Sequence, residues 1–271
     1  MRTEQRHGRL VGIIAGIMFV SVSGWWSVSW GHPDAVDPAM MTAQAAVKKA
    51  FPGIETRNWQ ATPVAGLLMF TMTDADRVYY VDQTGRYLLA QAALFDMKAL
   101  RNLTQDFVLE HRRDLVSRIP LDHAILYQPS ESLARTSQHT MYVFDDPDCP
   151  YCREFHKEIP ELVAGGVTVA VLLHPIERIH QGATQKSHNI WCAPVRTEAL
   201  NAAMKGQAIS NAAASCLAPV EENLALAKQF GGGATPYLVL PDGRTIAGGK
   251  PAHELMGMLG MAPTLAQQVK P

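Results

Sequence analysis

The sequence predicts an α+β fold in which a helix joins two units. Three observations predict it: strand-forming segments after an Ala-rich helix in the first half, a strand–helix–strand succession in the second half, and a charged amphipathic segment between them. The chain has 271 residues, 47% hydrophobic and 18% charged, which suits one or two globular domains. Its 24 basic and 25 acidic residues give a formal net charge of -1, which argues against a nucleic-acid partner.

Residues 1–35 are predicted to be an export segment, either a signal peptide or an N-terminal membrane anchor. Arg2, Arg6 and Arg9 precede an apolar run from Leu10 to Trp30, which is the layout of a secretory signal. The run is also long enough to span a bilayer, which takes about 20 residues, and no Ala-x-Ala cleavage site follows it. Both alternatives predict that the rest of the chain is exported, and an uncleaved segment would tether it to the inner membrane.

Residues 36–104 are predicted to form a small α+β domain. The segment from Asp37 to Phe51 is Ala-rich with a proline near its start, which predicts a helix that Pro52-Gly53 ends. The segments "VAGLLMFTM", "DRVYYVD" and "RYLLAQAALF" predict strands around turns, the tightest of which contains Gly85. This unit contains no obvious catalytic residue.

A linker helix over residues 105–122 is predicted to connect the two units. Apolar residues recur at helical spacing in "TQDFVLEHRRDLVSRI", and charged residues occupy the positions between them. The composition changes on either side of this segment, and Pro120 stops the helix. A connecting helix is therefore favoured over an ordinary surface helix.

Residues 123–271 are predicted to form a second domain around a parallel βαβ unit. The strand "HTMYVFD" leads through a helix into the strand "VTVAVLL" at residues 167–173. A long Ala-rich helical region follows, from about residue 183 to residue 230. The segment "GGGATPYLVLPDGRTIAGG" then predicts two strands around a Pro-Asp-Gly turn, and the helix "AHELMGML" closes the domain.

The motif "FDDPDCPYCREFH" places Cys149 and Cys152 where a strand ends and a helix begins. Pro150 then occupies the first helical position, where its missing N–H costs nothing, so Cys149 is the N-cap. Its side chain faces the unpaired N–H groups of the first turn and the positive end of the helix dipole, which favours a thiolate. Cys152, one turn into the helix, is predicted to be more buried and less reactive.

Two other roles for this pair stay open on the residues alone. Cys149, Cys152 and His156 could supply three ligands to a zinc ion, but a fourth ligand at the usual spacing is absent from the sequence. A purely structural disulfide would make poor use of a reactive N-cap position. A redox pair is therefore favoured, and neither a cofactor nor a metal is predicted.

Three aspartates crowd the start of the same helix. The like charge of Asp145, Asp146 and Asp148 disfavours a thiolate. We expect them to moderate the activation of Cys149 without reversing it, because aspartate side chains in a loop can point to water. They could instead help to select or repel substrates.

The other two cysteines, Cys192 and Cys216, favour a structural disulfide. Neither lies at a predicted helix start, and closing a loop of this length stabilises a fold by about 3 kcal/mol. An exported protein can keep such a bond because its compartment is oxidising.

Thr235-Pro236 follows three glycines and by itself predicts only a turn, since few X–Pro bonds are cis.

Together these motifs resemble the DsbC/DsbG family of periplasmic thiol:disulfide isomerases. "FDDPDCPYCREFH" resembles the family's active-site strand and helix start, and "ATPYLVLPDGRTIAGGKP" resembles its cis-proline loop and hairpin. "IWCAP" with Cys216 resembles its structural cysteine pair. "PVAGLLMF", "VYYVDQTGRYLL" and "LFDMKALRNLT" resemble its small dimerisation domain.

The resemblance implies a thioredoxin-like catalytic domain with a helical insertion at about residues 183–230, preceded by the small α+β dimerisation domain and the linker helix. It implies a homodimer in the periplasm. The site residues that it implies are a catalytic pair, Cys149 and Cys152; a substrate-binding loop of Thr235 and Pro236 with a cis bond between them; and a structural disulfide between Cys192 and Cys216. Tyr151 is predicted to be exposed by its position between the two cysteines, and it is a further candidate for contact with substrate.

The resemblance also implies an enzyme that isomerises or reduces non-native disulfides in exported proteins. Its implied partners are misoxidised exported client proteins and a membrane thiol reductant of the DsbD type. The dipeptide between the cysteines, Pro150-Tyr151, lies nearer to DsbG than to the Gly-Tyr of DsbC. A thiol oxidase of the same fold and a chaperone-like client-binding protein stay open as alternatives.

Overall fold

The computed structural model describes residues 37–72, 75–131, 139–211, 213 and 215–261. The export segment predicted for residues 1–35 lies outside these residues. Within the described part of the chain, no helix is both long enough and apolar enough to cross a membrane.

The first part of the described chain is a helix followed by an antiparallel sheet. Helix α1 (Pro38–Ala50) begins at Asp37, whose carboxylate accepts a hydrogen bond from the Ala39 N–H at 2.9 Å. The sheet has the order β1-β2-β3-β4, and a two-stranded ladder, β5-β6, follows it. The strands are β1 (Thr56–Ala61), β2 (Leu67–Met72), β3 (Ala75–Asp82), β4 (Leu88–Leu89), β5 (Phe95–Asp96) and β6 (Arg101–Asn102).

The segment "RYLLAQAALF", predicted as one strand, instead contains the short strands β4 and β5. Between them Gln91 has a φ of 56°, in the left-handed region. A residue in that region cannot continue an extended strand, so the chain turns there. The helix α1 and the hairpin of β2 and β3 agree with the sequence-based expectation.

Strand β2 is buried on both faces. Phe70 points to the face that α1 covers and packs in a cluster with Val47. Met69 points the other way and packs with Tyr80 and with Phe107 of helix α2 (Leu103–Ser117). Successive residues of a strand alternate between the faces of the sheet, so an unbroken apolar run here fits a strand that lies between two helices.

Helix α2 (Leu103–Ser117) is the linker helix, and it ends before the predicted end at residue 122. The Asn102 side chain caps its start by accepting a hydrogen bond from the Gln105 N–H at 3.1 Å. The residue before a proline disfavours the helical conformation, which stops the helix ahead of Pro120. Phe107 packs in a cluster with β2 and β3, whereas Val116 packs in a cluster of the second domain.

The second domain is built on a mixed sheet with the order β11-β10-β8-β9-β7. Strands β8 and β9 are parallel, which confirms the predicted βαβ unit, and the other pairs are antiparallel. The strands are β7 (Ile125–Tyr127), β8 (Thr140–Asp145), β9 (Thr168–Leu173), β10 (Tyr237–Val239) and β11 (Thr245–Ala247).

The helices of this domain cover both faces of the sheet. One cluster contains Val143 of β8 together with both cysteines of the motif, and the other contains Phe144 of β8 with Phe230. The helices are α3 (Pro150–His156), α4 (Ile159–Ala164), α5 (Ala183–Trp191), α6 (Arg196–Met204), α7 (Val220–Gln229) and α8 (Ala252–Met258).

Two predicted helices are divided in the structure. The helix after the cysteine motif is interrupted between His156 and Ile159, because Pro160 has no N–H to give to the carbonyl of His156. The helical region predicted from 183 to 230 consists of α5, α6 and α7. The segment "CAP", residues 192–194, ends α5, and the chain around Cys216 is irregular.

The turn before β4 offers a test of the packing of α1. A Cβ added to Gly85 (φ +71°) would lie 2.3 Å from the Cβ of Ala46, whereas one added to Gly66 (φ +77°) would meet nothing within 4 Å. Both Gly→Ala changes introduce left-handed strain of about 1 kcal/mol. We expect Gly85→Ala to lower the free energy of unfolding by a further ~1–3 kcal/mol, because α1 must shift. Urea unfolding of both variants measures this difference, and equal losses would contradict the contact.

Candidate active site

Cys149 is the N-cap of α3, as the sequence predicts. Pro150 occupies the first helical position, and the Cys149 carbonyl accepts the first helical hydrogen bond from the Arg153 N–H at 3.1 Å. The Cys149 side chain makes no capping hydrogen bond with the first turn, contrary to the expected contact. Its thiol instead donates to the backbone carbonyl of Thr235 at 3.3 Å. A thiol is a donor, so a nearby carbonyl satisfies it better than N–H groups.

The carbonyl of Thr235 reaches Cys149 because of the sheet register. The Thr235–Pro236 bond is cis, and β10 starts directly after it at Tyr237. Tyr237 lies opposite Phe144 of β8, near the end from which the chain continues to the cysteine motif. Pairing of β10 with β8 therefore brings the cis-proline loop to the start of α3.

Cys152 lies one turn into α3 and is fully buried, whereas Cys149 is 4% exposed. The predicted order of burial is therefore confirmed, although both thiols are largely covered. The Cys152 sulfur accepts a hydrogen bond from the Asp146 N–H at 3.5 Å. Burial raises the pKa of Cys152, and the negative charge of Asp145 raises it further. Both cysteines are free thiols in this structure.

The expectation that the aspartates point to water is wrong for Asp145 and Asp146. Both are fully buried, because β8 lies inside the sheet and helices cover both faces. Asp145 is the last residue of β8, and burial raises the pKa of its carboxyl to about 7. Its two oxygens have no hydrogen-bond partner of good geometry among the described residues, and the nearest donors are the Cys152 thiol and the Asp146 N–H.

Asp146 anchors the loop before the motif to the end of β9. Its carboxylate accepts hydrogen bonds from the Asp148 N–H at 2.9 Å, the Ile176 N–H at 2.7 Å and the Nδ1 of His180 at 2.8 Å. Buried carboxylates are retained when such donors replace water. Asp146 therefore holds the loop that carries Cys149, rather than selecting a substrate.

Asp148 is partly buried and lies between two cations. Its carboxylate pairs with Arg153 at 3.1 Å and also with Lys186 of α5. The pairs neutralise much of the negative charge that the sequence places beside Cys149.

An open groove of about 650 Å³ runs beside the cis-proline loop. Tyr151 forms part of its rim with 72% of its surface exposed, as the sequence predicts. A Cβ on Gly249, which lines the groove, would lie 3.0 Å from the Cβ of Phe155, so a larger residue there would force Phe155 to shift. The groove includes Thr235, whose carbonyl contacts the thiol of Cys149, so an extended polypeptide in the groove would lie near that thiol.

Cys192 and Cys216 lie apart from this groove and form a disulfide with a Cα–Cα distance of 6.0 Å. The bond links the end of α5 to the irregular segment before α7. Both cysteines are partly buried and pack against the core cluster that contains Cys149 and Cys152. Trp191 next to Cys192 is buried and stacks with the guanidinium of Arg196 at 3.6 Å.

Sequence reasoning missed two features of this site: the contact between Asp145 and Cys152, and the partnership of Asp146 with His180. The apolar run before Asp145 could have indicated a strand that is buried on both faces. His180 carries no sequence signal, because it is far from Asp146 along the chain. His156, a suggested zinc ligand, bonds instead to Asn201 at 2.8 Å.

Comparison with known proteins places this site in a family. A thioredoxin-like domain model matches residues 130–262, and the model of the disulfide bond isomerase protein N-terminal domain matches residues 32–105. The thiol:disulfide interchange protein DsbC of Dickeya dadantii (strain 3937) is 32% identical over 219 residues, covering 79% of this chain and 86% of that protein. The chain belongs to the DsbC family of thiol:disulfide interchange proteins.

Two further proteins are similar to this chain over different shares of its length. DsbC of Escherichia coli (strain K12) is 29% identical over 231 residues, covering 84% of this chain and 89% of that protein. The crystal structure of a disulfide interchange protein from Neisseria gonorrhoeae is 34% identical, covers 52% of this chain and 96% of that one, and has a TM-score of 0.45.

Membership of the DsbC family makes this chain a thiol-disulfide oxidoreductase of the disulfide isomerase type. The two domain matches confirm the predicted α+β fold, a thioredoxin-like domain preceded by the N-terminal domain of the disulfide isomerases.

The buried carboxyl of Asp145 makes a prediction for stability. Its folded-state pKa of about 7 lies above the ordinary 3.8. Protonation of this carboxyl therefore contributes its full stability to the fold below pH 3.8, and that contribution is lost as the pH rises through 7. Between pH 5 and pH 8 we expect the unfolding free energy of the reduced parent protein to fall by roughly 2–3 kcal/mol relative to that of Asp145→Asn. Urea unfolding at both pH values measures it.

Asp122→Asn is the control for this comparison, because Asp122 is an exposed carboxylate of the same domain. Its stability difference from the parent should not change with pH. Burial lowers the pKa of His156 and His174, and their titration affects all three proteins alike. A pH-independent difference for Asp145→Asn would contradict the burial of an ionisable carboxyl at this position.

Proposed function

We propose that this enzyme rearranges non-native disulfides of exported proteins in the periplasm, with Cys149 as the attacking thiol and Cys152 as the resolving thiol. The observation that carries these roles is their difference in position. Cys149 caps α3 beside the cis-proline loop and the open groove, whereas Cys152 is fully buried behind it. A thiol must meet the client disulfide to attack it, so access favours Cys149.

The first step is thiol–disulfide exchange. The thiolate of Cys149 attacks one sulfur of the client disulfide, the client S–S bond breaks, and the other client sulfur leaves as a thiolate. A mixed disulfide now joins Cys149 to the client. Thr235, Pro236 and Tyr151 form the surface that holds the client segment beside the reacting sulfurs.

Two reactions can release the mixed disulfide. A client thiol that attacks it forms a different client disulfide and returns Cys149 as a thiolate, which is isomerisation. Attack by Cys152 forms the Cys149–Cys152 disulfide and releases a reduced client thiol. The enzyme is then oxidised, and a membrane thiol reductant of the DsbD type returns it to the dithiol.

The disulfide between Cys192 and Cys216 has a structural role in this proposal. It closes a loop with a sequence separation of 24, which stabilises the helical insertion by roughly 3 kcal/mol. Cys192 and Cys216 are bonded to each other, whereas Cys149 and Cys152 are free thiols. Cys149 also contacts Thr235, which lines the groove, so exchange with clients is assigned to that pair.

A homodimer through the N-terminal domain also belongs to the proposal. Large apolar side chains are exposed along one segment of that domain: Tyr87, Leu89, Phe95, Met97 and Leu100. Soluble proteins seldom expose contiguous apolar surface unless it contacts a partner.

Residues 1–35 direct the export of the protein, and an uncleaved segment would tether it to the inner membrane.

Refolding of scrambled, fully oxidised ribonuclease tests the roles of the two cysteines. We expect the reduced enzyme to restore ribonuclease activity, Cys149→Ala to restore none above the uncatalysed rate, and Cys152→Ala to retain part of the rate. The reason is that only Cys149 is needed to form the mixed disulfide, which a client thiol can resolve. Regain of ribonuclease activity over time is the measurement.

Other outcomes of the same assay identify the alternatives. Full recovery with Cys149→Ala would contradict the proposed roles. No recovery, together with rapid oxidation of reduced ribonuclease by the disulfide form, would identify a thiol oxidase. A chaperone-like protein would suppress aggregation of unfolded ribonuclease equally well without Cys149.

The dimer is tested by a charge in the exposed apolar segment. Leu100 is 84% exposed and has a φ of 52°, a conformation that aspartate adopts more readily than leucine. We expect Leu100→Asp to shift the protein from dimer to monomer, because a charge buried at an interface lacks a partner. Sedimentation velocity measures the shift.

Leu217→Asp is the matched control, since Leu217 is an 87% exposed leucine in the insertion. It should leave the dimer intact. If the Leu100→Asp protein contains the same fraction of dimer as the Leu217→Asp protein, residues 87–100 do not form the interface.

A further inference from the structure

The proposed exchange reaction gives no role to the carboxyl of Asp145. It is fully buried at the end of β8. Alternation along the strand points it to the same face as Val143, which packs in the cluster that contains Cys149 and Cys152. An unpaired buried carboxyl destabilises a fold, so its presence beside the Cys152 thiol of the redox pair suggests a chemical role.

The groups that face this carboxyl come from several elements. Cys152 of α3 lies beside the Asp145 carboxyl. Among the described residues, its thiol is the only one that interacts with Asp145. Asp146, the next residue, adds a negative charge that disfavours ionisation of Asp145. Tyr127 of β7 faces it as a neutral phenol, because burial raises the pKa of that hydroxyl and the charge of Asp145 raises it further. His174 interacts with Asp146 instead.

We propose that Asp145 accepts the thiol proton of Cys152 when Cys152 attacks the mixed disulfide between Cys149 and a client. This inference rests on the proposed roles of the two cysteines. The S–H bond of Cys152 breaks, and its proton passes to the Asp145 carboxylate. The new S–S bond joins Cys152 to Cys149, the bond from Cys149 to the client breaks, and the client sulfur leaves with the electron pair.

The physical reason is conservation of charge in a buried site. Without an acceptor, the thiolate of Cys152 would add a negative charge to a region that excludes water, at a large cost in free energy. With Asp145 as the acceptor, one negative charge moves from the carboxylate to the sulfur, and the total stays the same. The N–H of Asp146, which donates to the Cys152 sulfur at 3.5 Å, then stabilises the charge on the sulfur.

This arrangement makes release by Cys152 depend on pH. Asp145 can accept a proton only when it is ionised, so the step should accelerate as the pH rises through its pKa of about 7. At lower pH attack by Cys152 slows, and attack by a client thiol slows as well because its thiolate fraction falls. The ratio of reduction to isomerisation therefore depends on the pH response of both reactions, and Asp145 sets that of the first.

Ellman's reagent, 5,5′-dithiobis(2-nitrobenzoate), separates the two thiol steps in the full-length reduced protein. Attack by Cys149 releases one thionitrobenzoate and leaves a second bound to Cys149 as a mixed disulfide. Attack by Cys152 then releases the second thionitrobenzoate. Stopped-flow absorbance records the two releases as successive phases, and Cys152→Ala identifies the second phase by abolishing it.

We expect Asp145→Asn to slow the second phase by about 100-fold or more, because a positioned proton acceptor typically contributes about 100- to 10,000-fold, and to abolish its rise around pH 7. The first phase should stay within about twofold of the parent rate. Asp122→Asn, which removes an exposed carboxylate, should leave both phases unchanged. Asp145→Glu keeps a carboxylate and should restore the pH-dependent rise, whereas a purely structural role for Asp145 predicts no such rescue.

An unchanged second phase in Asp145→Asn, or equal slowing of both phases, would overturn the role of Asp145. If that variant does not fold, the parent protein decides: a second phase without an inflection near pH 7 overturns the proposal. The proposed roles of the cysteines fail separately. They are wrong if Cys149→Ala retains the first phase or if Cys152→Ala retains the second.

Discussion

The pairing of β10 with β8 is the interaction on which the whole site depends. It is antiparallel, with Tyr237 opposite Phe144, so the residues before Tyr237 lie next to the residues after Phe144. Those residues are the cis-proline loop and the cysteine motif. A slip of one residue would turn every side chain of β10 to the other face and remove the Thr235 carbonyl from Cys149. Side chains of β8 and β10 pack in a core cluster on each face of the sheet, and this close packing holds the register.

The same burial that fixes the register creates the unusual environment of the two acids. Asp146 lies where three donors converge, so its charge is compensated and it stabilises the loop. Asp145, one residue earlier, has the thiol of Cys152 as its neighbour and lacks such donors. Adjacent carboxylates therefore have opposite consequences: one holds the fold, and the other destabilises it at neutral pH. Proteins commonly tolerate such local instability at the sites where they react.

Local patterns were enough to predict much of this molecule. The Cys-Pro step identified the N-cap of α3, the βαβ succession identified the parallel pair, and the Pro-Asp-Gly turn identified the hairpin of β10 and β11. Patterns along the chain could not show that Asp145 is buried, because its environment depends on which helices cover β8. The partnership of Asp146 with His180 is equally remote in sequence. The division of the helix near Pro160 was not predicted, although the proline could have indicated it, since proline interrupts the hydrogen bonds of a helix.

The hydrogen bond from Cys149 to Thr235 connects the resting site to client binding. In the reduced protein the Cys149 thiol is the donor to this carbonyl, and no other donor to it is found among the described residues. When Cys149 ionises or forms a mixed disulfide, the S–H donor is gone and the carbonyl is free to accept an N–H. An extended client segment in the groove carries such N–H groups on its backbone. In the proposed mechanism, loss of the thiol proton and backbone pairing with the client would therefore favour one another.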